Sequence, residues 1–279
     1  MSSSPNTALE VRNLRFSFAD VPRAWHGGRR SITAFFDNLS VFFPVGERFF
    51  IASVRAHLGV VEDARLRLDV RMFCGQEGVH GREHDRYNEM LRAQGYPVEA
   101  MEQRVKRLLQ VTSKLLSVRQ QLGVTCALEH FTALLARGVL GDERLLEGAD
   151  PTMRALWRWH SIEEYEHRAV AYDVYRAAGG GYLERCWTML LASFIFWVKI
   201  YEQQLRMMHH DRTLFSVREW WALVRYLFVD PGGLRKLTLP YLAYFKPGFH
   251  PGHEDAAELV AGPLRELAGS GYVEGFRAA

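Results

Sequence analysis

An all-α fold, a four-helix bundle extended by further helices toward the C-terminus, is what this 279-residue sequence predicts. Two observations carry the expectation. Long stretches with apolar residues at helical spacing are bounded by helix start and stop signals such as Asp150-Pro151 and Gly179-Gly-Gly181. Two of those stretches also carry a Glu-x-x-His pair, Glu77 with His80 and Glu164 with His167, and residues three apart share a helix face.

Taken in order, residues 1–30 form an irregular N-terminal arm, with alternation from Leu9 to Phe18 that suggests an extended segment or short strand. From Ser31 an apolar run begins, and Pro44 interrupts it. An interior proline removes a helical hydrogen bond, so a break is expected near Phe43, with a fresh helix carrying Glu47 through about Leu58. Residues 61–94 read as one long helix ending at Gly95, with Gly75, Gly78 and Gly81 around Glu77 and His80. Such glycines imply close approach by another helix or a bound species. Pro97 opens a connecting helix of about 98–115, and a further helix carries Glu129 to near Gly138. Asp150 as N-cap and Pro151 at the first position start a helix expected to run to about Ala178. An apolar helix of about 182–208 follows, then a Trp-rich helix capped by Ser216, a segment after Asp230-Pro-Gly-Gly233, a Lys246–His253 loop and a last helix of about 255–268. The simplest organisation is the arm, 1–30, followed by a single helical domain, 31–279. In it a bundle core of about 44–178 bears the metal-ligating residues and a C-terminal extension covers about 182–268.

Composition narrows the function. Hydrophobic residues make up 48% and charged residues 24%, an ordinary globular balance. The net charge of +3 comes from scattered basic residues, which excludes the basic stripe of nucleic-acid partners. Three separated cysteines without a C-x-x-C motif point to reduced thiols. The N-terminus lacks a basic region followed by an apolar run, so a cytoplasmic protein is expected. The uncharged stretch Cys186–Val198 is too short to span a bilayer and reads as a buried helix, with contact at a membrane surface the less favoured reading.

At about 100° per residue, His160, Glu164 and His167 fall on one narrow stripe, as do Glu77, His80 and His84. Two helices with Glu-x-x-His plus one Glu from each of two others is the ligand pattern of carboxylate bundles that hold two iron or two manganese ions. Glu47 and Glu129 stand where the two other glutamates belong. Glu47 sits among Phe49, Phe50 and Ile51, where a lone carboxylate is expensive. The candidate metal set is therefore Glu47, Glu77, His80, Glu129, His160, Glu164 and His167. Four carboxylates nearly neutralise two divalent cations, while imidazoles suit iron, manganese or zinc. His84 is read as a partner that orients a ligand. Glu163 lies near the stripe, but only Glu164 keeps the i, i+3 spacing to His167. Glu166 points away and His130 is offset by about 100° from Glu129, so both read as surface residues or neighbours of a ligand, and His209, His210, His250 and His253 read as structural or solvated.

This seven-residue set, with His160 one turn before Glu164, resembles the ligand set of the arylamine N-oxygenase group among the ferritin-like di-iron enzymes. Segments around the sites are also similar to a bacterial family described as predicted metal-dependent hydrolase. These are Phe43-Pro-Val-Gly-Glu-Arg-Phe-Phe50, Ala127-Leu-Glu-His-Phe-Thr132, Trp159-His-x-x-Glu-Glu-x-Glu-His167 and Lys246-Pro-Gly-Phe-His-Pro251, and the likeness covers most of 25–255. The ligand resemblance implies a ferritin-like bundle with two iron ions that oxidises a small organic substrate with O2, taking electrons from an external donor. The family description implies the alternative, hydrolysis by two zinc or manganese ions activating water. Of the two, the ligand set weighs more heavily.

Overall fold

The computed structural model describes residues 9–253 and 257–269. Among them α-helices dominate and no strand forms; one isolated bridge joins His26 and Ala149. Four long helices make the bundle. These are α1 (Arg30–Arg55), α2 (Ala64–Ala93), α4 (Val118–Gly141) and α5 (Pro151–His167), with α3 (Val98–Leu115) connecting α2 to α4. A short α6 (Val170–Ala177) follows α5; then come α7 (Tyr182–His210), α8 (Val217–Val224), α9 (Gly233–Ala243) and α10 (Ala257–Gly269). Helices α1 and α2 pack against each other, α4 packs against α5, and α7 lies along α4 and α1.

Start signals act as their chemistry requires. Asp63, Ser117 and Asp150 each accept hydrogen bonds from first-turn N–H groups, and Ser117 with Gln120 forms a full capping box. Helix α1 has no such cap of its own. Its Ser31 N–H donates to the Glu219 carboxylate of α8 at 2.9 Å, an anion at the positive end of the helix.

The break expected at Pro44 is absent: α1 runs through it to Arg55, and residues 58–60 form a separate 3₁₀ turn. The Ser40 carbonyl, which proline leaves without its helical donor, accepts from Asn88 Nδ2 of α2 at 3.3 Å. The lost bond is replaced across the bundle. Residues 31–43 consequently belong to the bundle core. The helix expected to reach Ala178 ends instead at His167 and restarts at Val170. There the Arg168 guanidinium takes the Tyr165 carbonyl, which the helix would otherwise use, and also bonds Pro251 O.

Residues 12–18 of the arm form neither helix nor strand and alternate strictly. Arg12, Leu14, Phe16 and Phe18 point inward, while Asn13, Arg15 and Ser17 face out. Its partners are side chains rather than another strand: the N–H groups of Arg12 and Phe16 donate to Glu163 and Glu83, and Gln76 Nε2 donates to Glu10 O. Gly75 makes this approach feasible, since a Cβ there would lie 2.7 Å from Val11.

Helix α7 departs from the buried helix expected. Met189, Ala192, Ile200 and Gln203 pack inward, but Trp187, Leu190 and Phe194 are largely exposed, Phe194 by 72%. It lies on the outside of the bundle and only one face meets α1 and α4. The Trp-rich helix closes with one π-helical turn at 225–229. No helix among the described residues is long and apolar enough to cross a membrane.

Candidate metal centre

The middle of the bundle gathers all seven sequence-predicted residues: Glu47 from α1, Glu77 and His80 from α2, Glu129 from α4, and His160, Glu164 and His167 from α5. Every one is buried. They fall into two groups, Glu47/His80/His160 and Glu77/Glu129/Glu164/His167, and the donor atoms within each lie within 4.8 Å of one another. Glu164 faces both. Its Oε1 is 3.2 Å from His160 Nε2 and 3.6 Å from His80 Nδ1, while its Oε2 is 3.6 Å from His167 Nε2. Near His167 Nε2 also lie Glu77 Oε1 at 3.0 Å and Glu129 Oε2 at 3.3 Å.

His160 and His167 each have the other ring nitrogen hydrogen-bonded to a protein partner, and His80 has a carboxylate close by without an aligned bond. His80 Nε2 lies 3.0 Å from Glu163 Oε2, His160 Nδ1 lies 3.1 Å from His84 Nε2, and His167 Nδ1 lies 3.0 Å from Gln76 Oε1. Such contacts fix ring orientation and tautomer in metal sites. His84 and Glu163 thus stand behind the cluster rather than in it, His84 being held in turn by Ser40 Oγ at 2.9 Å. Glu163 also accepts from the Arg12 backbone and guanidinium, and Arg12 continues to Glu166 at 2.8 Å. Sequence reading missed Gln76 and Arg12. Nothing marks Gln76 but its place beside Glu77; Arg12 could have been noticed as a charge at an inward position of the alternating arm. His130, expected to lie on the surface or near a ligand, is buried elsewhere against Tyr244 and Phe249. His250 bonds Asp173 at 2.8 Å.

An aromatic shell surrounds the cluster. Phe43 packs on His160 with ring centroids 4.4 Å apart, Trp159 meets His80 edge-on at 4.8 Å, and Phe73 meets His167 at 4.9 Å. Gly81 opens the space for Glu47, because a Cβ there would sit 2.9 Å from Glu47 Oε2. The other two glycines differ: Gly75 faces the arm, and around Gly78 there is open space.

Electrostatics set a problem that the side chains do not solve alone. Burial first, then repulsion from neighbouring carboxylates, pushes Glu47 and Glu77 above the ordinary carboxylate range. Burial also raises Glu129, partly offset by His167. Burial alone would raise Glu164 too, but the neighbouring His160 and His167 imidazoles outweigh it and hold that carboxyl low. The same carboxylates overcome burial to raise His167, whereas burial lowers His80. Both oxygens of Glu47, Glu77 and Glu129, together with Glu164 Oε2, His160 Nε2 and His167 Nε2, are buried without an aligned hydrogen-bond partner. Native structures rarely leave so many such atoms together. Two divalent cations would satisfy this donor set and balance four carboxylates, so the residues fit a metal pair.

A helical bundle with buried carboxylate and imidazole groups of this kind belongs to the class of metal-dependent α-helical proteins. The chain is a member of the family described as predicted metal-dependent hydrolase, whose profile matches residues 10–255. No curated protein and no solved structure gives a significant match.

Proposed function

We propose that the chain holds two metal ions, iron in the first instance, and oxidises an organic substrate with O2, its electrons coming from an external donor. Glu47, His80 and His160 would hold one ion, and Glu77, Glu129 and His167 the other, with Glu164 shared between them. When bound, a redox-active pair supplies the electrons that reduce O2, whereas a zinc or manganese pair supplies Lewis acidity for hydrolysis. The chain's own residues orient and protect. His84 and Gln76 orient His160 and His167, Glu163 stands beside His80, and Phe43, Trp159 and Phe73 exclude bulk water.

The observation that favours oxidation is the wall of the cavity reaching His160. Its lining is mostly apolar, with Phe43 and Trp157 against that imidazole and Phe36, Leu39 and Leu227 further along, and its hydroxyls among the described residues are those of Thr132, Ser161 and Tyr226. Such a passage suits O2 and an apolar substrate better than water and a charged ester. Hydrolysis remains the second reading, and what favours it is the family description.

The two readings separate in one experiment. Iron-loaded, reduced protein is mixed with O2 in an oxygen electrode, beside the Glu164→Ala variant. Uptake in proportion to bound iron, lost in the variant, supports the proposal. If there is no uptake, and zinc- or manganese-loaded protein cleaves p-nitrophenyl esters or phosphates without O2, hydrolysis takes its place.

A further inference from the structure

Helix α7 carries two apolar faces. One packs toward α1 and α4 through Met189, Ala192 and Ile200. The other, made of Leu183, Trp187, Leu190, Phe194, Val198 and Tyr201, is 46–79% exposed. At about 100° per residue these six lie within about 80° of the helix surface, and at about 1.5 Å per residue they run for about 27 Å. No charge interrupts them, because Cys186–Val198 is uncharged. At the two ends the charges of α7 are paired within the chain, Glu184 with Arg119 at 2.9 Å and Lys199 with Glu202 at 2.8 Å. An apolar strip with a polar rim has the make-up of a protein–protein contact, and contiguous exposed apolar patches of this size mark contact sites.

Area and order choose the occupant. At about 200 Å² for each whole side chain, the six expose roughly 700 Å², close to the about 800 Å² that each partner brings to a standard interface. Laid antiparallel on a copy of itself about the midpoint of Leu190 and Phe194, the strip sets Leu183 opposite Tyr201 and Leu190 opposite Phe194. Trp187 then lies within about one residue, 1.5 Å, of facing Val198. Each aromatic ring meets an aliphatic side chain, so ridges fill gaps rather than collide. The same patch serves both chains, as a two-fold contact requires. The overlap also lays the Glu184 end of one helix beside the Lys199 end of the other, which brings opposite charges together. A bilayer surface asks for no such order.

We propose that this face of α7 joins two copies of the chain, paired antiparallel across a two-fold axis at Leu190 and Phe194. The pairing does not depend on the chemistry of the metal centre, and it is tested on the protein as purified.

Light scattering on the full-length protein at micromolar concentration is expected to give the mass of two chains. Phe194→Glu brings two carboxylates to the axis and should give the mass of one chain, with an unchanged circular dichroism spectrum. Should that variant fail to fold, Leu190→Glu replaces it, with the same loss expected. Cross-linking reads the register. In a Cys186→Ser background, Leu183→Cys together with Tyr201→Cys should form a covalent dimer under mild oxidation. Either cysteine alone should not, because its two copies would lie about 27 Å apart. A single-chain mass for the unmodified protein, a dimer indifferent to the glutamate at the axis, or a covalent dimer through Leu183→Cys alone overturns the inference. So does a monomer that pellets with phosphatidylcholine–phosphatidylglycerol vesicles, which would give the strip to a lipid surface.

Discussion

Three histidines at the centre show how much of a metal site resides in residues that never touch the metal. Gln76 holds Nδ1 of His167 and leaves Nε2 toward Glu77, Glu129 and Glu164. Replacing it by Leu keeps the packing volume but frees the ring to rotate. Gln76→Leu is expected to weaken metal binding by roughly 10- to 100-fold with little change in helix content. Competition against a chromophoric chelator, beside a circular dichroism spectrum, measures both. Unchanged affinity would mean that the carboxylates alone orient His167. Legibility at this scale was uneven: spacing on a helix face picks out Glu77, His80, Glu164 and His167, because local geometry puts them together. Gln76 and Arg12 reach their partners from 91 and 151 positions away, and no local pattern encodes such a contact.

At the scale of elements, the bundle tolerates an interior proline because the neighbouring helix supplies the missing donor. Asn88 Nδ2 donates to Ser40 O, and Ser40 Oγ donates to Asn88 Oδ1 at 2.9 Å, so α1 and α2 are joined by a reciprocal pair beside Pro44. Asn88→Ala should cost about 1–3 kcal/mol, the range for leaving a buried polar group unpaired. In a Pro44→Ala background residue 44 regains its N–H and α1 can serve the Ser40 carbonyl itself. The same Asn88→Ala change should then cost less, with a coupling of at least about 0.5 kcal/mol in a double-mutant cycle. Denaturant melts of the four proteins give the number, and strict additivity would refute the account. Proline chemistry alone argued for a break; only the facing helix reversed the outcome.

For the molecule as a whole, stability and metal content are linked through pH. Without metal, folding raises Glu47, Glu77 and Glu129 above the ordinary carboxylate value of 4.5. A carboxyl with a raised pKa contributes stability that is complete below about 4.5 and is lost as pH climbs through the raised value. His167, also raised, acts in the same sense; Glu164, held low, acts in the opposite one. His80 and His84, lowered by burial, act in the opposite sense but only below about pH 6.5, so the metal-free protein should melt at falling temperature from about pH 6.5 to about pH 8. Metal binding displaces those protons, so the rise in melting temperature on loading should be larger at about pH 8 than at about pH 6. A calorimetric scan of both forms decides it, and a metal-free melting temperature that climbs over this range would contradict the charge balance.

By itself the sequence determined the all-α class, most helix boundaries and the seven-residue constellation, because helical period, caps and the Glu-x-x-His spacing act over a few residues. Tertiary structure alone decided that α1 passes through Pro44, that α5 stops at His167, that the arm seals the centre through Glu163 and Gln76, and that α7 leaves an apolar face exposed. Each of these depends on a group far away in the chain that either supplies or withholds a hydrogen bond or a packing surface, and a local pattern carries no record of such a neighbour.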